Sequence, residues 1–170
     1  DCTLDGRVLY TPDGTHLVTH PEQALSITCE RLVLVENFET FRHLLSYRWI
    51  RWGAAATLVL YRGDPEHPNQ HAAHVVQNRS EPVTGFFDFD PAGLMMAQTI
   101  PSDRFEGFIL PAPSWLRAAC DTPHGRQLYD RQVGVYGAAL DAISAPLIRE
   151  PWAFMKSLAS AVAQERMRSA

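Results

Sequence analysis

Asp88 and Asp90 stand one residue apart after the apolar run Val83-Thr84-Gly85-Phe86-Phe87, and Pro91 and Gly93 follow closely. At strand spacing the two carboxylates point the same way. Like charges on one side of a strand end repel, and a hard divalent cation such as Mg²⁺ or Mn²⁺ relieves the repulsion. A third acid has a matching context: Arg31-Leu32-Val33-Leu34-Val35 is an apolar run that ends in Glu36-Asn37. If the two strands are neighbours, Glu36, Asp88 and Asp90 converge and can hold one or two such ions. The metal would then activate water and stabilise charge on a phosphoryl group in transit. Glu36 is also a candidate general acid or base, its pKa raised by the two anions beside it. Acids at strand ends also serve as caps or solvated groups, and D-x-D alone says little. D-x-D-P-x-G after one strand, with Glu-Asn after another, says more.

The elements that must position these acids follow from periodicity. Residues 31–35, 57–61, 83–87 and 105–110 read as strands, and the spacing predicts helices over 38–52, near 69–78 and over 91–99. Pro91 suits a first helical position, because its φ is fixed and it has no N–H to satisfy. Strand alternating with helix implies an α/β fold: a Rossmann-like parallel sheet of about four strands with right-handed crossovers, flanked by helices. In such sheets ligands bind at the carboxyl ends of the strands. Residues 6–19 read as an N-terminal hairpin, with Arg7–Tyr10 and His16–Thr19 flanking Thr11-Pro12-Asp13-Gly14. From Ser114 the pattern turns helical, with breaks at Pro123, Gly125, Pro146 and Pro151 and a last helix from Trp152 to about Met167. The chain divides into 1–29 (hairpin and linker), 30–112 (the core) and 113–170 (a helical C-terminal extension).

The segments Leu34-Val35-Glu36-Asn37 with Phe41, Leu58–Gly63 and Gly85–Leu94 follow the order of a Toprim domain, the metal-binding fold of topoisomerases, bacterial primases and several nucleases. The chain resembles most the variety in the A subunit of topoisomerase VI and in JetD, the nuclease subunit of Wadjet-type plasmid-defence systems. Glu36, Asn37 and Phe41 match the E-N-x-x-x-F strand end of JetD-like proteins. Asp88, Asp90, Pro91 and Gly93 match their G-D-x-D-P-x-G, with Phe87 where the family often has Asp. The resemblance covers residues 30–110. It implies a Mg²⁺- or Mn²⁺-dependent endonuclease hydrolysing DNA phosphodiesters. Asp88 and Asp90 would hold the metal, Glu36 would serve in metal binding or acid–base chemistry, and Gly63 would mark a tight exit near the site. It also implies DNA and an SMC-like ATPase complex as partners, with a homodimer as a further candidate assembly. Only nine residues precede Tyr10, so no winged-helix domain with a nucleophilic tyrosine fits upstream, and transesterification is not expected. The chain opens at Asp1, which points to the catalytic half of a longer protein.

With 170 residues, 46% of them hydrophobic and 20% charged, the chain can bury a sizeable core and does not read as disordered. A net charge of −4 excludes a broadly basic nucleic-acid binder. Fourteen of the fifteen basic residues are arginines, whose planar fork suits phosphate, and Arg62, Arg79 and Arg104 are the candidate DNA-phosphate contacts. Three widely spaced cysteines, Cys2, Cys29 and Cys120, form neither a disulfide framework nor a zinc ribbon and suit a reducing compartment. With no signal peptide or long apolar run, the expected location is the cytoplasm, away from membranes.

His67, His71 and His74 share a helical spacing that zinc can use, but a polar helix face beside the active edge, with no thiol nearby, is the favoured reading. Trp49, Trp52, Trp115 and Trp152 could stack on bases, but helical spacing favours core packing. Asp103, Glu106 and Asp121 are isolated acids with no assigned role. Two other functions compete. A haloacid-dehalogenase-like phosphohydrolase would use Asp88 as nucleophile and Asp90 as acid, but that motif expects a lysine near the site and the single lysine is Lys156. The other is a non-catalytic Toprim module that recruits partners.

Overall fold

A computed structural model of the chain describes residues 1–64 and 69–170. Four strands form one parallel sheet: β3 (Arg31–Val35), β4 (Thr57–Tyr61), β5 (Val83–Phe86) and β6 (Phe105–Phe108), in the order β4-β3-β5-β6. β3 and β5 are central, and this explains their composition. Leu32, Val33, Leu34 and Val35 are all buried, because a parallel strand covered on both faces reads as a continuous apolar run. β4 sits at an edge, and each of its residues stays partly exposed.

The chain leaves β3 toward β4, then returns past β3 to lay down β5 and moves outward to β6. The winding direction therefore reverses between β3 and β5. Their carboxyl ends bound the crevice where open α/β sheets take their ligands.

The helices are α1 (Pro21–Leu25), α2 (Phe38–Arg42), α3 (Gln70–Asn78), α4 (Pro91–Met96), α5 (Pro113–Cys120), α6 (Pro123–Asp141) and α7 (Pro146–Leu158). α1 packs on α3, whereas α4, α6 and α7 pack together and α7 leans on β6. Trp152, Phe86, Phe87, Phe89 and Leu94 are among the fully buried side chains. Trp152 donates its indole N–H to Asp141 (2.7 Å), while Trp49, Trp52 and Trp115 pack against the core from partly exposed positions. Among the described residues no helix is long and apolar enough to cross a membrane.

Three expectations are corrected. The hairpin is not at 6–19 but between β1 (Thr3–Leu4) and β2 (Arg7–Val8). Its turn is Asp5-Gly6, with φ of 50° and 74°. Positive φ at both central residues suits the right-handed twist of the paired strands. Thr11–Gly14 does turn, with the Thr15 N–H on the Pro12 carbonyl (3.0 Å), but His16–Thr19 is irregular.

The helix expected over 38–52 ends at Arg42, with a short 3-10 turn at Leu44–Ser46 after it. Tertiary bonds compete with helix continuation here. The Tyr47 hydroxyl reaches the Gln164 carbonyl (3.3 Å), and the Trp49 indole donates to the Met167 carbonyl (2.6 Å).

The last long helix runs from Pro146, not Trp152, and stops at Leu158, where Ala159 turns left-handed (φ 46°). Pro151 is tolerated inside it, since the carbonyl it leaves free belongs to Leu147 on an exposed position. Pro123 and Pro146 open helices at their first position, and Gly125 lies within α6. The segment after α7 runs along the carboxyl ends of β3 and β5. Val162 and Phe89 exchange both backbone hydrogen bonds (2.9 Å each), and Gln164–Ser169 form a closing 3-10 helix.

Candidate active site

Parallel pairing opposes Val35 to Phe86, so the residues after them leave the sheet side by side. The Glu36 N–H donates to the Phe86 carbonyl (3.1 Å), and the Asp88 N–H donates to the Glu36 carboxylate (3.0 Å). Two acid-bearing segments 52 residues apart are thus tied directly at the crevice. Asp90, 4% exposed, caps α4: one carboxylate oxygen accepts the Gly93 N–H (2.7 Å) and the other accepts the Gln132 amide (2.7 Å).

The D-x-D-P-x-G spacing follows from this geometry. A Cβ at position 93 would lie 2.2 Å from the Asp88 carbonyl oxygen, so the turn that brings Asp88 and Asp90 together closes only on glycine. Pro91 is the first residue of α4, where its missing N–H has no partner to lose.

Electrostatics at this edge favour a cation. Burial, reinforced by the Glu36 charge, pushes the Asp88 carboxyl up to about 8. Burial also raises Glu36, with the Asp90 charge adding to it and Arg62 opposing. Asp90 is raised by burial too, against the hydrogen bonds that favour its charged form. Oxygen-only donors crowded in a poorly solvated crevice suit a hard divalent ion and not a thiophilic one. Among the described residues no three His, Cys, Asp or Glu side chains form a ready metal cage. The three carboxylates are instead turned onto backbone N–H groups and Gln132, so an arriving cation would exchange for these hydrogen bonds.

Three contributors have no local sequence signal, because they arrive from far along the chain. Gln164 is wholly buried and its backbone N–H donates to Asp88 (2.7 Å). Its side-chain oxygen accepts the Asn37 N–H (3.0 Å), and its amide donates to the Phe86 carbonyl (2.5 Å). One side chain therefore bridges the exits of β3 and β5. Glu165 brings a fourth carboxylate to the rim, held by the Asn37 amide (2.6 Å), and its charge adds to the upward shifts of Glu36 and Asp88. Gln132 on α6 orients Asp90 and also accepts the Ala92 N–H (2.8 Å). Asn37 itself caps α2 through the Thr40 N–H (2.9 Å).

The three arginines separate. Arg62 follows β4 beside the acids: its N–H donates to the Val35 carbonyl (2.9 Å), and among the described residues its buried Nε has no hydrogen-bond partner. Arg79 and Arg104 lie at the opposite, amino-terminal edge, where the Val83 N–H meets the Arg104 carbonyl (2.8 Å). Arg79 pairs with Glu81 and donates to the Ala24 and Leu25 carbonyls (2.9 and 3.1 Å). Arg104 donates to the Val76 and Glu81 carbonyls. Their guanidinium groups bond Glu81 and backbone carbonyls at the end of the sheet opposite the three acids.

His74 faces Glu22 (3.0 Å) and His71 is exposed, while His67 lies outside the described residues. A cavity of about 620 Å³ between the N-terminal segment and β4 is mostly apolar and contains none of the three acids.

Residues 3–170 match the model of a family described as a domain of unknown function (DUF7281). The chain belongs to the DUF7281 family. No curated protein and no solved structure matches it. In this DUF7281 domain the acids leave adjacent parallel strands at the point where the winding reverses.

Proposed function

We propose that this DUF7281 domain is a Mg²⁺- or Mn²⁺-dependent nuclease of Toprim type that hydrolyses DNA phosphodiesters at the β3/β5 crevice. The observation that carries the reading is the direct tie between Glu36 and the Asp88 backbone at the carboxyl ends of two adjacent parallel strands. A bound divalent ion would supply positive charge to the phosphoryl oxygens and to the leaving oxygen. Asp88 and Asp90 would hold it, with Glu36 as a third oxygen donor or as the acid–base group. Burial raises the Glu36 pKa, the direction that suits a group passing a proton. Gln132 and the Gly93 N–H keep Asp90 oriented, and Gln164 keeps Asp88 oriented. Arg62, beside Glu36, is the remaining candidate for a phosphate contact. Association with an SMC-like ATPase complex, in the manner of Wadjet systems, rests on the sequence resemblance alone.

The haloacid-dehalogenase-type alternative needs a lysine at the acids. Lys156 instead bonds Asp141 (2.6 Å) and lies over the Trp152 ring. The deciding experiment incubates supercoiled plasmid and linear DNA with the domain and Mn²⁺, alongside Glu36→Gln and Asp88→Asn variants checked for folding by circular dichroism. Cleavage by the parent and loss of at least about 100-fold in each variant is expected, as for removal of a group that acts in the transition state. Cleavage that survives in both variants refutes the assignment. Calorimetry that detects no Mn²⁺ binding to the parent protein favours the non-catalytic module instead.

A further inference from the structure

Cys2 and Cys29 are far apart in sequence but meet across an antiparallel pairing. Thr3 and Thr28 form an isolated bridge and exchange both backbone bonds (3.1 and 2.7 Å). One step outward in that register, Cys2 stands opposite Cys29. The Cys2 carbonyl turns the other way, accepting the Leu9 N–H (2.9 Å). The cysteines thus form a non-hydrogen-bonded cross-strand pair, with both side chains on the same face. Such pairs hold their Cα atoms about 4.5 Å apart, inside the roughly 4.4–6.8 Å that a disulfide spans. Both are free thiols of intermediate burial, whereas Cys120 is buried elsewhere against Ser160.

We propose that Cys2 and Cys29 are an oxidant-responsive pair whose disulfide staples the N-terminal hairpin to the entry of β3. The oxidant is a low-molecular-weight disulfide. One protein thiolate attacks a sulfur of that disulfide and expels a small thiolate. The second protein thiolate attacks the mixed disulfide and expels the other. Two protein thiols and one small disulfide become one protein disulfide and two small thiols, which take up the two protons.

The surroundings set the poise. Arg79 donates to the Cys29 sulfur (3.1 Å) and would stabilise a thiolate as it forms, and Glu81 lies 3.8 Å away. Burial nevertheless outweighs Arg79 and lifts Cys29 to about 11, and it raises Cys2 as well. At rest both are thiols, stable in a reducing compartment. The exchange therefore accelerates with alkalinity, about tenfold per pH unit below the thiol pKa.

The staple closes the loop between residues 2 and 29, which also contains α1. It is expected to raise Tm by about 5–10 °C, through the unfolded chain it constrains. The test uses the reduced full chain and oxidised glutathione, read by intact mass, non-reduced peptide mapping and thermal melting. Loss of two hydrogen atoms, a Cys2–Cys29 crosslinked peptide, free Cys120 and a Tm rise reversed by dithiothreitol are expected. Cys29→Ser should give only a glutathione adduct at Cys2, with no Tm rise. Glutathione carried separately on both cysteines, a crosslink to Cys120 or to a second chain, or a crosslink that leaves Tm unchanged would overturn the proposal.

Discussion

Replacing Gln164 by Met isolates what its amide does, because the two side chains have similar volume and only the hydrogen bonds are lost. The Asn37 N–H, now bonded at 3.0 Å, would have no partner. The Phe86 carbonyl would lose the 2.5 Å bond but keep the one from Glu36 at 3.1 Å. An orphaned, partly buried donor costs about 1–3 kcal/mol, and a lost bond to an acceptor that keeps another partner costs about 0.5–1.5 kcal/mol. The two add to about 1.5–4.5 kcal/mol. At about 3 kcal/mol a domain of this size loses about 6–12 °C in Tm. Urea unfolding at unchanged m-value, with calorimetry beside it, measures this directly. The variant should also bind Mn²⁺ more weakly at a temperature where it remains folded, because the exits of β3 and β5 are no longer bridged. A loss below about 0.5 kcal/mol would refute the claim that Gln164 bridges the two exits.

Three further outcomes are expected. The Asp88 carboxyl titrates at about 8 in the folded protein against an ordinary 3.8. Its protonated form is favoured by folding, so that contribution is complete below about pH 4 and is lost as pH rises toward 8. Metal-free protein should therefore lose stability over that window, and Asp88→Asn should flatten the slope in pH-dependent melts; an unchanged slope would show that Asp88 does not titrate there. Arg79→Ala leaves Glu81 without its buried partner and removes a donor from the Ala24 and Leu25 carbonyls, and should cost about 3–5 kcal/mol in urea unfolding. A selective loss of DNA affinity at parental stability would restore Arg79 as a phosphate contact. Gly93→Ala forces a Cβ to within 2.2 Å of the Asp88 carbonyl oxygen and should cost at least about 1–3 kcal/mol. A urea midpoint equal to the parent's would contradict that close approach.

The sequence by itself determined the sheet and its acids. Continuous apolar runs bounded by turn residues mark buried parallel strands, and all four strands lie where those runs lie, with Glu36, Asp88 and Asp90 just beyond two of them. Pro91 is a local helix-start signal, and it opens α4. Local pattern misled where distant partners competed. Residues 43–52 have helical spacing, yet Tyr47 and Trp49 are held by the carbonyls of Gln164 and Met167. Only tertiary structure decided that β3 and β5 are neighbours, that Gln164, Glu165 and Gln132 complete the acidic edge, and that Arg79 and Arg104 belong to the other end of the sheet. The same holds for Cys2 and Cys29, which one antiparallel bridge sets opposite each other. The physical reason is common to all of them. Periodicity and capping encode what a residue does within one turn or one strand. Contacts across about 27 to 128 residues depend on which strand ends and buried polar groups the whole chain must satisfy together.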